Sequence, residues 1–232
     1  MTRTVVLCGS LGSTSAMWDA QAPALEAAGF RVVRTDHPGH NGRGLIDVAS
    51  VRDLARDALA QVDADRFSLV GLSIGGAIGM QLALDEPQRL DRLVLACTSA
   101  RFGEPDGWIE RAMTVRVQGV EAVAPTVLGR WFTDAFSDAS PYFEMLVSTD
   151  REGYARCCDA LALWDARPHL ARVTMPTLVV AAAEDPSTPP DHGRAIADAV
   201  PGARFELIEN AAHLAPVERP DEFNRLVLDF LA

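Results

Sequence analysis

An α/β fold built on a mostly parallel sheet is what this 232-residue sequence predicts. Three observations carry that expectation. Six short apolar runs enriched in β-branched residues recur along the chain, and segments with apolar residues at three-to-four spacing separate most of them. A Gly71-Leu72-Ser73-Ile74-Gly75 pentapeptide falls where one such run should turn sharply into a helix. Strands alternating with helices in this way give a parallel sheet covered on both faces.

The strand candidates are Thr4–Cys8, Arg31–Thr35, Phe67–Val70, Arg92–Cys97, Thr177–Ala182 and Arg204–Ile208. Helical patterns cover Ala16–Ala28, Val51–Val62, Gly76–Leu84, Pro190–Val200 and Asp221–Leu231, several of them opening after Ser, Asp or Pro. Between Cys97 and Thr177 no convincing strand occurs. Trp108–Val117, Val120–Leu128, Pro141–Val147 and Glu152–Leu163 read there as helices, punctuated by Gly103, Pro105, Gly119, Pro125 and Pro141. The expected organisation is a core of residues 1–100 and 176–232 with a helical cap, 101–175, inserted between them. Such a cap overhangs the carboxyl ends of the strands, where open α/β sheets bind ligands.

Composition narrows the class of partner. A hydrophobic content of 48% supports one substantial core, and a net charge of −11 disfavours nucleic acid and anionic membrane, whose phosphates need clustered Lys and Arg. No stretch reaches the roughly 20 consecutive apolar residues of a membrane helix, and the N-terminus runs straight into a strand, so a cytoplasmic protein is expected. Cys8, Cys97, Cys157 and Cys158 show no metal-ligand spacing and read as free thiols. Oligomeric state is not legible.

Ser73 is the candidate nucleophile, because the turn would project its hydroxyl into a cleft while Gly71 and Gly75 let strand and helix approach closely. A serine hydroxyl needs a base, and the base needs an acid to fix its tautomer. Asp185 follows the Thr177–Ala182 strand in a loop that exposes a carboxylate, and is preferred over its neighbour Glu184. His213 follows the next strand in Asn210-Ala211-Ala212-His213-Leu214. Among the other histidines, His37 and His40 read as structural hydrogen-bonders in a proline-glycine turn, and Asp36, His37 and His40 lack a fourth ligand for a metal site. His169 and His192 read as solvated residues at helix starts. Attack would create an oxyanion, to be met by the backbone amides of Ile74 and of Ser10 in the uncharged loop Cys8-Gly9-Ser10-Leu11-Gly12-Ser13. Trp18 and Trp164 read as packing residues.

Cys8-Gly9-Ser10-Leu11-Gly12, Met17-Trp18-Asp19, Gly71–Gly76, Asp185 with Thr188-Pro189-Pro190, and Ala212-His213-Leu214 together resemble the α/β-hydrolase fold and, within it, the 3-oxoadipate enol-lactonases. The match extends into the cap through Arg130-Trp131-Phe132-Thr133 and Gly153–Leu161. The resemblance implies hydrolysis of a small carboxylate-bearing lactone through an acyl-enzyme, in bacterial catabolism of protocatechuate and catechol, with no metal or organic cofactor. The same triad would serve an esterase, lactonase or perhydrolase acting on another small ester, and the pocket alone a non-catalytic small-molecule receptor. A substrate carboxylate would need a local cation in so acidic a protein, and Arg130 beside Trp131 is the expected substrate-binding pair. Two departures from the family pattern stand out. The antiparallel strands that usually precede Thr4–Cys8 are missing, which leaves a sheet edge less protected, and Asp36-His37-Pro38-Gly39-His40 lacks the usual arginine before its glycine.

Overall fold

The computed structural model describes residues 2–232. In chain order its elements begin with β1 (Thr4–Cys8), α1 (Gln21–Ala27), β2 (Arg31–Thr35), α2 (Val51–Ala60), β3 (Phe67–Leu72), α3 (Ile74–Asp85) and β4 (Leu90–Ala96). An insertion follows, with α4 (Pro105–Gln118), α5 (Ala124–Trp131), α6 (Ser140–Val147) and α7 (Arg151–Ala162). The chain then completes β5 (Thr177–Ala182), α8 (Pro190–Ala199), β6 (Arg204–Ile208), α9 (Ala215–Glu218) and α10 (Pro220–Leu231).

All six strands are parallel, in the order β2-β1-β3-β4-β5-β6. With helices around this sheet, the architecture is the α/β-hydrolase fold that the sequence predicts. Strands β1, β3 and β5 are buried along their whole length, which is why they read as continuous apolar runs rather than alternating ones. Leu7, Leu69, Leu72 and Leu93 are essentially inaccessible, and each contributes roughly 1.5–3 kcal/mol on burial. The edge strands β2 and β6 are only partly covered and carry charges at Arg31, Arg34, Arg204 and Glu206, a pattern that discourages pairing with another edge. No helix among the described residues is long and apolar enough to cross a membrane.

Local signals account for the helix starts. Ser50 caps α2 by accepting from the Asp53 amide while its hydroxyl donates to the Asp53 carboxylate at 2.8 Å. Asp150 caps α7 by accepting from the Glu152 and Gly153 amides, both at 2.9 Å. One expected helix is split. Instead of a single helix over Ala16–Ala28 there is a 3-10 turn at Ser15–Trp18 and then α1 from Gln21. Pro23 explains the break: it has no N–H to give the Asp19 carbonyl and its ring would strike that group, so the helix must restart just before it. Residues Val120–Leu128 divide similarly into a 3-10 turn, Val120–Ala122, and α5, with Pro125 in the first turn of the second piece. All four cysteines are buried free thiols.

The chain moves from β1 outward to β2, then returns to place β3 on the other side of β1. That reversal opens a crevice beyond the carboxyl ends of β1 and β3. The loop after β1 and the turn after β3 both feed into it.

Candidate active site

Ser73 occupies the turn between β3 and α3 with φ 58° and ψ −117°, a backbone conformation that costs a non-glycine residue about 1–3 kcal/mol. Neighbouring contacts enforce it. The Ser73 amide donates to the Ala96 carbonyl at 3.0 Å, and the Thr98 hydroxyl donates to the Ser73 carbonyl at 2.7 Å. A side chain at Gly71 would strike the Gly75 carbonyl, and one at Gly75 would strike the Cys8 carbonyl, so both glycines are required by close backbone approach. Thr98 went unnoticed in the sequence because its partner lies 25 residues away and only the fold brings them together.

Asp185 is buried in the loop after β5, and Glu184 beside it is exposed. Its Oδ1 accepts the Ser187 and Thr188 amides at 2.8 and 3.1 Å, and its Oδ2 accepts the Thr188 hydroxyl at 2.7 Å and the His213 Nδ1–H at 2.8 Å. Burial opposes the charge, but His213 and Thr188 outweigh it and hold the Asp185 carboxyl below its usual value. With Nδ1 committed to the carboxylate, His213 has Nε2 left to accept a proton. Ser73 and His213 line one cavity without a direct hydrogen bond between them, a separation that such sites often close on substrate binding.

The histidine loop is held from the insertion. The His213 and Leu214 amides donate to the Arg130 and Trp131 carbonyls at 3.4 and 2.9 Å. Glu218 ties the same parts together from the other side: one carboxylate oxygen accepts the Thr133 amide and hydroxyl at 2.9 and 2.8 Å, the other the Ala212 amide at 2.6 Å.

Ser10 in the β1 loop and Ile74 at the start of α3 have amides that donate to no protein acceptor among the described residues. Two buried histidines brace that loop. His37 Nε2 lies 3.0 Å from the Gly9 carbonyl, and His40 Nε2 accepts the Gly12 amide at 3.0 Å while its Nδ1 lies 3.0 Å from the Pro38 carbonyl. These are the structural roles expected of the pair. Burial, and then the neighbouring His37, push the His40 pKa down to about 3, so the ring stays neutral and can accept from Gly12. The unfolded chain binds this proton near pH 6.5 and the folded chain does not until about 3. Stability therefore falls as pH drops through that window, by up to about 1.4 kcal/mol per unit per histidine. Replacing His40 with Leu is expected to flatten that acid limb, to cost about 1–3 kcal/mol near neutrality through the unpaired Gly12 amide, and to lower kcat by loosening the Ser10 loop. Thermal melts between pH 4 and 7, with activity in parallel, read this; an unaltered acid limb and an unaltered kcat would sink it.

The cavity has a volume of about 380 Å³, in the range of small-molecule sites, and Ser10, Ser73, Arg130, Trp131, Tyr154 and His213 contribute to its walls. Arg130 is exposed and Trp131 is buried. Three further residues line the cavity: two were not singled out in the sequence, and the third, His192, was expected to be solvated. Trp108 and Arg111 come from α4, which showed only an amphipathic helical pattern, and His192 comes from the first turn of α8. The expectation for His192 is corrected: its ring is partly buried and its Nδ1 is shielded from solvent with no partner, because the start of α8 faces the cavity rather than the outside. His169 is exposed, and Trp18 and Trp164 pack as expected.

Comparison with known proteins agrees with this architecture. Over 232 aligned residues the chain is 34% identical to 3-oxoadipate enol-lactonase 2 of Acinetobacter baylyi, covering 96% of this chain and 86% of that protein. It is 31% identical to a Variovorax paradoxus protein bearing the carbamate-hydrolase name RutD, covering 98% and 91% respectively. The enol-lactonase structure from Burkholderia xenovorans LB400 superimposes with a TM-score of 0.94 at 35% identity, covering 100% of this chain and 92% of that one. The family model described as the alpha/beta hydrolase family matches residues 5–226. A nucleophile-type turn after β3, a buried carboxylate–histidine pair and a sequence match over nearly the whole length thus converge, and the chain belongs to the alpha/beta hydrolase family.

Proposed function

We propose that this hydrolase opens a small carboxylate-bearing lactone, 3-oxoadipate enol-lactone, to 3-oxoadipate, with Ser73 as nucleophile, His213 as base and Asp185 as the acid that orients it. The observation that carries the reading is the strained Ser73 turn opening into the same cavity as a histidine whose Nδ1 is fixed by a buried carboxylate. Ser73 Oγ attacks the lactone carbonyl as His213 Nε2 takes its proton. The oxyanion forms against the Ser10 and Ile74 amides, beside the positive end of α3. Collapse breaks the ring C–O bond, and His213 returns the proton to the enol oxygen, which stays tethered to the acyl chain. The enol becomes a ketone, so ring closure is unfavourable. Water, deprotonated by His213, then releases the acid and regenerates Ser73.

Residues 101–175 act in this reading as a cap that closes the cavity over the substrate. Trp131 forms an apolar wall, and Arg130, at the exposed rim, draws the substrate anion toward a protein of net charge −11. The 34% identity to an enol-lactonase supports the lactone, and the 31% identity to the RutD protein supports a carbamate as the alternative substrate.

Steady-state kinetics on the enol-lactone, a small carbamate and a neutral aryl ester separate them. The expected order of kcat/KM places the lactone first by at least tenfold. A carbamate turned over faster than the lactone would overturn the assignment while leaving the hydrolase chemistry in place.

A further inference from the structure

The cavity contains donors that nothing in the protein satisfies. Tyr154, on α7, is completely buried, yet its hydroxyl has no hydrogen-bond partner. A buried polar group left this way costs free energy unless something occupies the space in front of it. Its ring is held firmly: a side chain at Gly12 would come within 3.1 Å of Tyr154 Cε2, so the phenol sits directly against the Ser10 loop.

Arg111, on α4, lines the same cavity. Its guanidinium carbon lies 5.0 Å from the centroid of the Trp108 ring, so the cation is stacked rather than paired. The contrast with its neighbours is sharp. Arg101, Arg116, Arg156 and Arg167 each hold a carboxylate, whereas Arg111 makes no ion pair among the described residues. Glu104, the acid nearest to hand in the cavity wall, is committed to Arg101 at 2.8 Å. Burial drives the Tyr154 phenol above its ordinary value, and Arg111, which lines the same cavity, is the cation that opposes that shift.

From these orphan donors we infer that Arg111 and Tyr154 form a carboxylate subsite in the cavity wall, which holds the free acid group of the substrate while Ser73 attacks its ester. A guanidinium offers two parallel N–H groups to a carboxylate, and the phenol O–H a third donor, matching the acceptors such an anion presents. Arg130 remains at the exposed rim, where solvent screens its charge; Arg111, partly buried and stacked, is the cation that fixes register. The inference rests on the reading of Ser73 as nucleophile for the substrate it names, but the donor set itself does not depend on catalysis.

The test compares two lactones, the enol-lactone and its neutral methyl ester, in wild type, Arg111→Gln, Arg111→Lys and Tyr154→Phe. The ratio of kcat/KM for acid over methyl ester is expected to fall roughly 10- to 100-fold in Arg111→Gln, to recover partly in Arg111→Lys, and to fall by less than tenfold in Tyr154→Phe. Equal losses on both lactones, leaving the ratio unaltered, would overturn the subsite and mark both residues as structural. Titration calorimetry of 3-oxoadipate into Ser73→Ala, with and without Arg111→Gln, separates the two readings. If wild type hydrolyses neither lactone but 3-oxoadipate binding weakens tenfold or more on losing Arg111, the nucleophile assignment fails and the subsite stands. Binding indifferent to Arg111 overturns the subsite whatever the activity.

Discussion

Replacing Ser73 with alanine is expected to lower kcat by about 10⁶-fold, the scale seen when a serine nucleophile that acts as a unit with its base is removed. Two other hydroxyls that line the cavity, those of Thr188 and Tyr154, cannot substitute. The Thr188 hydroxyl is engaged with Asp185, the Tyr154 phenol is pushed above its ordinary pKa by burial, and neither stands at the positive end of α3. The residual activity, roughly 10³-fold over water, would come from the Ser10 and Ile74 amides acting on bound substrate. Stability should hardly change, because alanine keeps the Cβ and hence the strain at φ 58°. Ser73→Gly separates the two effects: it abolishes turnover equally but relieves the left-handed strain, giving a thermal midpoint at or above that of wild type. Active-site titration with a burst-forming aryl ester, together with melts of the three proteins, reads both. An alanine variant retaining activity within tenfold of wild type would end the assignment of Ser73.

That strain also explains why the turn was readable from sequence. Gly71 and Gly75 mark it because no other residue clears the Gly75 and Cys8 carbonyls, so the physical constraint leaves a literal trace in the letters. The sheet was readable for a similar reason. Strands buried on both faces admit only apolar residues, and Val5-Val6-Leu7 or Thr177–Ala182 cannot be mistaken for solvated loop. Asp185 and His213, which the structure joins by a hydrogen bond, could be singled out because each follows a strand end, where the topology gathers side chains over the crevice.

Residues whose partners are fixed only by tertiary packing left no such trace. Arg111 is one of 21 basic residues, and its helix shows ordinary amphipathic spacing; what distinguishes it is a place in the cavity wall that is partly buried and stacked on Trp108, a property of three-dimensional neighbours. Glu218 looks like a surface acid two residues before a proline, yet it joins Thr133 to Ala212 across 85 and 6 residues of chain. His192 followed a Pro-Pro helix start that sequence reasoning places at the surface, and the orientation of α8 turned it inward. The split of the first helix was legible in principle: Pro23 stands in the sequence, and its missing N–H together with the clash of its ring disfavours a continuous helix from Ala16.

Exchanging Asp185 for asparagine is expected to lower kcat about 10⁴-fold with little change in KM, through tautomer rather than shape. Oδ1 would go on accepting the Ser187 and Thr188 amides, so the loop keeps its geometry. The changed atom is Oδ2, which now becomes an NH₂ facing both His213 Nδ1 and the Thr188 hydroxyl. An amide donating to Nδ1 selects the tautomer with its proton on Nε2, and a protonated Nε2 cannot take the proton from Ser73. The same substitution alters the acid stability limb, with a definite sign. Because the Asp185 carboxyl is held below its usual value, folding favours the ionised form, and that contribution is fully present above the ordinary carboxylate pKa and lost as pH falls through the folded one. Asparagine has no such contribution, so the variant should lose less stability than wild type between pH 5 and the acid range, even though it is the weaker protein at neutral pH. Its loss there comes from the unpaired interplay of two donors, the amide and Thr188, around one imidazole nitrogen. Melts from pH 3 to 7 and kcat at pH 7 test both halves. A variant with wild-type kcat would mean that His213 does not need Asp185 to set its tautomer, and the proton path from Ser73 would have to be redrawn.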